Sequence, residues 1–240
     1  AAFVAAPSTA TLRQVFTAVM TASAETVSES IQSLVSRLRK EDESALSPVD
    51  ALALRLETQY PGDVGVLCAY LLNYVTLRPG QCIYLAANEP HAYLQGECVE
   101  CMATSDNVVR AGLTPKLRDT AILCDMLTYN AGEPTVLDGD AIKSDENGAT
   151  KTNATVRRYV PPFDEFQLET YEVEAGSTCL ASVSPGPCVF LVFGGKGEMG
   201  GEKVARGSVV FAKADEAVSI TAGEEAIVAY RAMINSRVFA

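Results

Sequence analysis

The chain has 240 residues, which at roughly 100 to 200 residues per domain suits one large domain or two smaller ones with a buried core. Asp plus Glu number 30 against 19 Lys plus Arg, a net charge of −11 that repels phosphodiester backbones and anionic lipid, so neither nucleic acid nor a membrane surface is an expected partner. One histidine, His91, and no tryptophan exclude a metal or acid–base site built from several imidazoles of this chain alone.

The chain begins Ala1-Ala2-Phe3 with no initiating Met and no basic leader, and Pro7 follows early, so it reads as a piece of something longer. Residues 8 to 58 have helical periodicity. Leu12, Val15, Phe16, Val19 and Met20 form one apolar stripe, and Val27, Ile31, Leu34, Val35 and Leu38 form a second. The second stripe has Ser23 as N-cap and Glu25 in its first turn, and it ends on Arg37, Arg39 and Lys40, which suit the negative end of a helix dipole. Ser47-Pro48-Val49-Asp50 starts a third helix with a capping hydroxyl, a proline at the first helical position and a first-turn carboxylate. Tyr60-Pro61-Gly62-Asp63 ends it. These helices are expected to pack and to carry no chemistry.

The longest apolar stretch, Val64 to Val75, is too short to span a bilayer, which takes about 20 residues, and Asn73 interrupts it. From residue 73 the pattern turns to short strand-like runs at Tyr74 to Arg78, Gln81 to Ala86 and His91 to Gln95, separated by Pro79-Gly80 and Asn88-Glu89-Pro90. Residues 138 to 153, with Asn147-Gly148, read as a solvated loop or linker. Further runs at 166 to 173, 179 to 183, 188 to 193, 203 to 213, 217 to 220 and 226 to 234 suit a β-sandwich or jelly roll. The seven cysteines lie in apolar runs without the spacing of a disulfide framework and read as reduced core residues; Cys98 and Cys101 form a CxxC with no second pair to complete a zinc finger.

Gly80 to His91 can be laid over Gly207 to Val218 without a gap, each copy reading turn glycine, strand, acidic turn, strand. The interval from Gly80 to His91 resembles the second half of the cupin signature, in which a glycine turn feeds a strand and a histidine enters the barrel. In the later copy Val218 stands where His91 stands in the first.

Residues 91 to 116 concentrate an imidazole, a phenol, three carboxylates, an Arg and a Lys within 26 positions. On an extended chain His91, Tyr93 and Gln95 share one face. Asp106, Arg110 and Lys116 place a carboxylate near two cations, a set suited either to a sugar phosphate or to a surface ion-pair cluster.

His91-Ala92-Tyr93, Gly96, Glu100, Met102-Ala103, Ser105-Asp106-Asn107, Arg110-Ala111-Gly112 and Thr114-Pro115-Lys116 match position for position the signature stretch of type I phosphomannose isomerases. Tyr60 to Gly65, Leu71-Leu72-Asn73, Asn88-Glu89-Pro90, Met126 to Tyr129 and Tyr159 to Phe166 also resemble that family. The resemblance implies a mainly β fold of cupin-like jelly-roll barrels with an N-terminal α-helical segment. Residues 1–58 are then the helical insertion, 59–137 the second part of the catalytic cupin, 138–153 a linker and 154–240 a C-terminal cupin-like domain.

The resemblance further implies zinc-dependent interconversion of mannose 6-phosphate and fructose 6-phosphate, feeding mannose activation and glycosylation in the cytoplasm. His91 corresponds to a zinc ligand, Arg110 to the catalytic arginine and Lys116 to a phosphate-binding lysine. Asp106, Glu100 and Tyr93 fall on active-site positions, and which carboxylate moves the proton stays open. The family's other zinc ligands, a Gln-x-His pair and a Glu, have no counterpart here, and catalytic zinc normally has three protein ligands or more. The expectation is therefore an inactive portion that binds its one zinc weakly and lacks the N-terminal half as partner. The alternative is a non-catalytic cupin-type sugar-phosphate-binding or scaffold protein.

Overall fold

Local capping chemistry sets the three opening helices. In the computed structural model, which describes residue 4 and residues 6–143, 150–151 and 153–239, α1 (Thr9–Met20) starts on Ser8, whose hydroxyl accepts from Thr11 N while Thr11 Oγ1 accepts from Ser8 N. Two orphan N–H groups are thereby satisfied. Ser23 caps α2 (Ala24–Leu38) by accepting from Thr26 N at 3.1 Å, and Ser47 caps α3 (Pro48–Gln59) by accepting from Asp50 N at 3.2 Å, with Pro48 in the first turn. A short α4 (Gly65–Cys68) follows. A helix the sequence reading did not anticipate, α5 (Thr120–Met126), is capped by Asp119 Oδ1 on Ile122 N at 3.1 Å.

The chain divides into two compact units, the first comprising Ala1–Leu77, Leu85–Gln95 and Ser105–Thr135, the second Arg78–Tyr84, Gly96–Thr104 and Val136–Ala240. The helical stripes meet in the core of the first unit, where Phe16, Met20, Val27, Ile31, Val35, Leu52 and Leu56 gather with Val64, Val66, Leu123 and Leu127. Each such side chain contributes about 1.5–3 kcal/mol when fully buried. Tyr129 closes this core: its hydroxyl donates to the Cys124 carbonyl at 2.7 Å and its ring meets the Phe16 ring edge-on.

The second unit is a sandwich of two antiparallel sheets plus a small two-stranded ribbon, β1 (Cys82–Ile83) with β2 (Val136–Leu137). One sheet runs in the order β11 (Val209–Ala212), β8 (Cys188–Gly194), β13 (Ile227–Met233), β6 (Gln167–Val173), β5 (Ala154–Tyr159), β3 (Asp140–Ala141). The other runs β10 (Glu202–Ala205), β9 (Lys196–Met199), β12 (Ser219–Ala222), β7 (Thr178–Leu180), β4 (Thr150–Lys151). Alternate residues of each sheet point inward, so Phe190, Val192, Ile227, Ala229 and Tyr171 form one core with Cys179, Met199 and Ile220. The run read as one strand from 203 to 213 is two, separated at Gly207, whose φ of 89° lies in the left-handed region.

The helices and the sandwich match the expected mainly β fold with N-terminal helices, and the β-rich half differs in detail. The stretches 74–78 and 91–95 are not strands, and 81–86 contracts to Cys82–Ile83. A strand persists only where a neighbour accepts its ladder of hydrogen bonds, and no neighbour among the described residues pairs with 74–78 or 91–95. The segment 138–153 carries β3 and β4 rather than loop throughout. Asn147-Gly148 lies outside the described residues, as do Ala1-Ala2-Phe3 and Ala240. The proposed repeat is matched at its two turns, where Gly80 and Gly207 have φ of 83° and 89° and the aligned Asn88 and Asp215 have φ of 63° and 61°, but β12 of the later copy has no counterpart strand at 91–95 in the first.

Candidate functional site

Within the first unit, three anchors place the signature residues. Asp63, at the turn after α3, accepts through Oδ1 from Gly65 N at 2.7 Å and from Leu113 N at 2.9 Å, drawing the Arg110-Ala111-Gly112 stretch onto the start of α4. The approach leaves no room for side chains. A Cβ on Gly112 would lie 2.8 Å from Gly65 Cα and 2.9 Å from Gly65 N, and one on Gly65 would lie 2.7 Å from Leu113 Cγ. The glycines in both motifs are thus explained by close backbone contact, two residues from the half-buried Arg110.

The second anchor is Arg55 on α3, whose Nη1 donates to Gln95 Oε1 at 2.7 Å and so tethers the far end of the His91 segment. The third is the turn before His91. Glu89 Oε1 accepts from Thr128 Oγ1 at 2.6 Å and from Asn130 Nδ2 at 3.0 Å, while the Glu89 carbonyl lies 3.0 Å from His91 Nδ1. A carbonyl only accepts, so Nδ1 carries the proton, and in the neutral ring Nε2 then keeps its lone pair, the form a metal-ligating imidazole takes. The His91 and Tyr93 ring centroids are 5.8 Å apart, as expected of residues sharing one face.

Asp106, Lys116 and His91 are exposed, and Tyr93 is 58% exposed. Asn107 N and Lys116 N donate to Ser105 Oγ and Thr114 Oγ1, small turns that hold the backbone beside two of these residues. Of the two readings of Asp106, Arg110 and Lys116, the surface ion-pair cluster is not formed: among the described residues no ion pair joins the three. Exposed charges gain little from pairing in water, so spacing alone does not bring them together. Glu100 is exposed and belongs to the second unit.

His91 suits zinc as one neutral-imidazole ligand. The set is incomplete, since no group of three or more His, Cys, Asp or Glu among the described residues could hold a metal ion. None of the seven cysteines is in a disulfide, but Cys98 is exposed and Cys82 and Cys101 only half-buried, which corrects their reading as core residues. Burial raises the Cys101 thiol above its usual range. No helix among the described residues is long and apolar enough to cross a membrane.

A buried polar cluster in the second unit escaped the sequence reading. Arg231 on β13 faces Glu169 on β6 as a register pair, and both are 0–1% exposed. Arg231 Nη1 donates to Glu169 Oε2 at 3.1 Å and to the Ser182 carbonyl at 2.8 Å. Arg158 donates to Glu169 Oε1 at 2.9 Å, and the Tyr171 hydroxyl donates to Glu169 Oε2. Burial raises Tyr171 well above its usual range, and Glu169 reinforces the shift. Burial works against the Arg231 charge, but Tyr171 and Glu169 outweigh it and hold the guanidinium protonated. The alternation Gln167, Glu169, Tyr171, Val173 and Ile227, Ala229, Arg231, Met233 was the signal: both charges share parity with core residues.

Comparison with known proteins agrees with this architecture. Residues 1–72 match the family model described as phosphomannose isomerase type I, helical insertion domain. The chain is 44% identical over 233 residues to mannose-6-phosphate isomerase 2 of Arabidopsis thaliana, covering 95% of this chain and 51% of that protein. It is 44% identical over 216 residues to mannose-6-phosphate isomerase of Cryptococcus neoformans, covering 86% of this chain and 48% of that protein. Among solved structures, mannose 6-phosphate isomerase from Salmonella typhimurium, bound to its substrate fructose 6-phosphate and to zinc, superposes with a TM-score of 0.66 at 25% identity, covering 97% of this chain and 56% of that one. The chain spans about half the length of the curated relatives it matches. By its helical domain, its similarity over nearly all of its length and its fold, the chain is a relative of the type I phosphomannose isomerases.

Proposed function

We propose that this chain supplies one side of a mannose-6-phosphate isomerase site. The observation that carries the reading is His91, an imidazole held with Nε2 available, on a segment shared with Tyr93 in a chain related to enzymes of that name. In the aldose-to-ketose direction a base takes the proton from C2, an enediolate forms, and the proton returns at C1 while a second proton moves from the C2 hydroxyl to the C1 oxygen. Asp106 and Glu100 are the candidate bases. Arg110, a permanent cation with planar donors, suits the developing enediolate oxygen, and Lys116 suits the phosphate. Tyr93 offers a ring and a hydroxyl to the sugar.

When bound, zinc supplies charge stabilisation at the sugar oxygens. His91 is its ligand in this proposal, and the remaining ligands come from polypeptide outside this sequence. Leu72, Tyr74, Val75 and Leu77 support that view: they are exposed apolar side chains on a stretch without a strand partner among the described residues. The seven cysteines, none of them in a disulfide, support a reducing, cytosolic setting.

In the full-length protein, Arg110→Ala is expected to reduce mannose 6-phosphate turnover by about 100- to 1,000-fold, the scale of losing one charge-stabilising donor. Cys98→Ala should leave it within about twofold, as an exposed side chain with no role. Comparable losses in the two variants contradict the assigned roles. The incomplete ligand set favours a second reading, a non-catalytic sugar-phosphate-binding or scaffold protein, which predicts binding of the sugar phosphate without conversion in any zinc-loaded form.

A further inference from the structure

The turn ahead of His91 is held at more points than its length requires. Asn88 adopts a left-handed φ of 63°, and Tyr129 in the facing loop adopts one of 55°. Asn tolerates such a backbone, whereas for Tyr129 it persists only where surrounding bonds over-determine it. Thr128 N donates to the Asn88 carbonyl at 3.4 Å, and Asn130 N donates to Thr128 Oγ1 at 3.1 Å. At the centre lies the half-buried Glu89, whose single oxygen Oε1 takes both the Thr128 hydroxyl and the Asn130 amide. Pro90 follows, so the Glu89 backbone is confined to extended conformations and its carbonyl direction is set. That carbonyl is the acceptor for His91 Nδ1.

We propose that Glu89 is a positioning residue for His91: its carboxylate clamps the turn to the Thr128–Asn130 loop, so that its carbonyl fixes the imidazole as the Nδ1–H tautomer and reserves Nε2. The use of that nitrogen for a metal rests on the isomerase reading; the tautomer does not. Partners of this kind fix ring orientation and tautomer in histidine ligands generally. Here the same residue contributes twice, through its side chain to the loop and through its backbone to the ring.

The 240-residue chain has one histidine, so its imidazole nitrogen resonances belong to His91 without further assignment. Long-range 1H–15N spectra of the metal-free chain with the imidazole neutral read the tautomer directly. The wild type is expected to show Nδ1 protonated and Nε2 bare. Glu89→Ala should shift the tautomer ratio toward Nε2–H by tenfold or more. Glu89→Gln, whose amide oxygen still accepts from Thr128 and Asn130, should restore the wild-type ratio. Thr128→Val, which leaves Glu89 and His91 in place, should shift it in the same direction by a smaller factor, and it decides the matter if Glu89→Ala does not fold. An Nε2–H wild type, or a ratio unchanged in folded Glu89→Ala or in Thr128→Val, overturns the proposal. Because no metal or substrate is present, a failed isomerase assay leaves this result intact, and a failed tautomer result leaves the isomerase reading standing.

Discussion

Gly112 shows how a residue without a side chain contributes to a site. With Gly65 Cα only 2.8 Å from any added Cβ, Gly112→Ala forces backbone against backbone, and neither can rotate away. The expected cost is about 1–3 kcal/mol, read as a lowered denaturation midpoint with an unchanged m-value. A variant as stable as wild type would show that the Asp63 anchor does not hold Arg110 in this way. The Glu169–Arg231 pair is the converse case. Arg231→Met leaves a buried carboxylate with Arg158 as its remaining cation and should cost about 3–5 kcal/mol in urea unfolding, whereas replacing both partners by apolar residues should recover most of it. Equal losses in the single and double variants would contradict a coupled pair. His91 and Arg110 are singled out by their motif, and the structure places them in one unit. Glu169 and Arg231 were not singled out, because alternation reveals that a position faces inward and does not reveal that a charge there has a partner on another strand.

At the scale of elements, the caps were read correctly because they are local: Ser23 and Ser47 act on N–H groups three residues away. Strands depend on partners distant in sequence, which is why 74–78 and 91–95 have strand-like composition and no ladder. One contact between elements has a pH signature. The Tyr70 hydroxyl, just beyond α4, donates to Asp50 Oδ1 at 2.7 Å in the first turn of α3. Hydrogen bonds from Ser47 and then Tyr70 lower the Asp50 carboxyl below its usual range, and burial followed by the bond to Asp50 pushes Tyr70 up to about 12. A lowered acid stabilises the fold above its unfolded pKa and ceases to do so as pH falls through the folded value. A raised phenol stabilises it below its unfolded pKa of about 10 and ceases to do so as pH rises through about 12. This contact should therefore contribute across the neutral range and be lost at both ends. Tyr70→Phe should flatten the alkaline limb of a stability–pH profile; an unaltered limb between pH 10 and 12 would contradict it.

At the scale of the whole molecule, the sandwich was legible from turn-bounded runs and the helical unit from its stripes. Of the candidate residues, His91, Tyr93, Asp106, Arg110 and Lys116 lie in the first unit, and Glu100 lies in the second. Periodicity did not reveal that division, because it describes each segment and not the segment it meets. On the proposed function, this chain carries part, and not all, of a zinc-dependent isomerase site. The most direct measurement is zinc content together with mannose 6-phosphate conversion, compared between this chain alone and the full-length protein that contains it. Weak zinc retention and no turnover are expected for the chain alone, with one zinc per molecule and conversion to fructose 6-phosphate for the full-length protein. A zinc-loaded full-length protein that leaves mannose 6-phosphate unconverted, or a chain that retains zinc and turns over by itself, would contradict it.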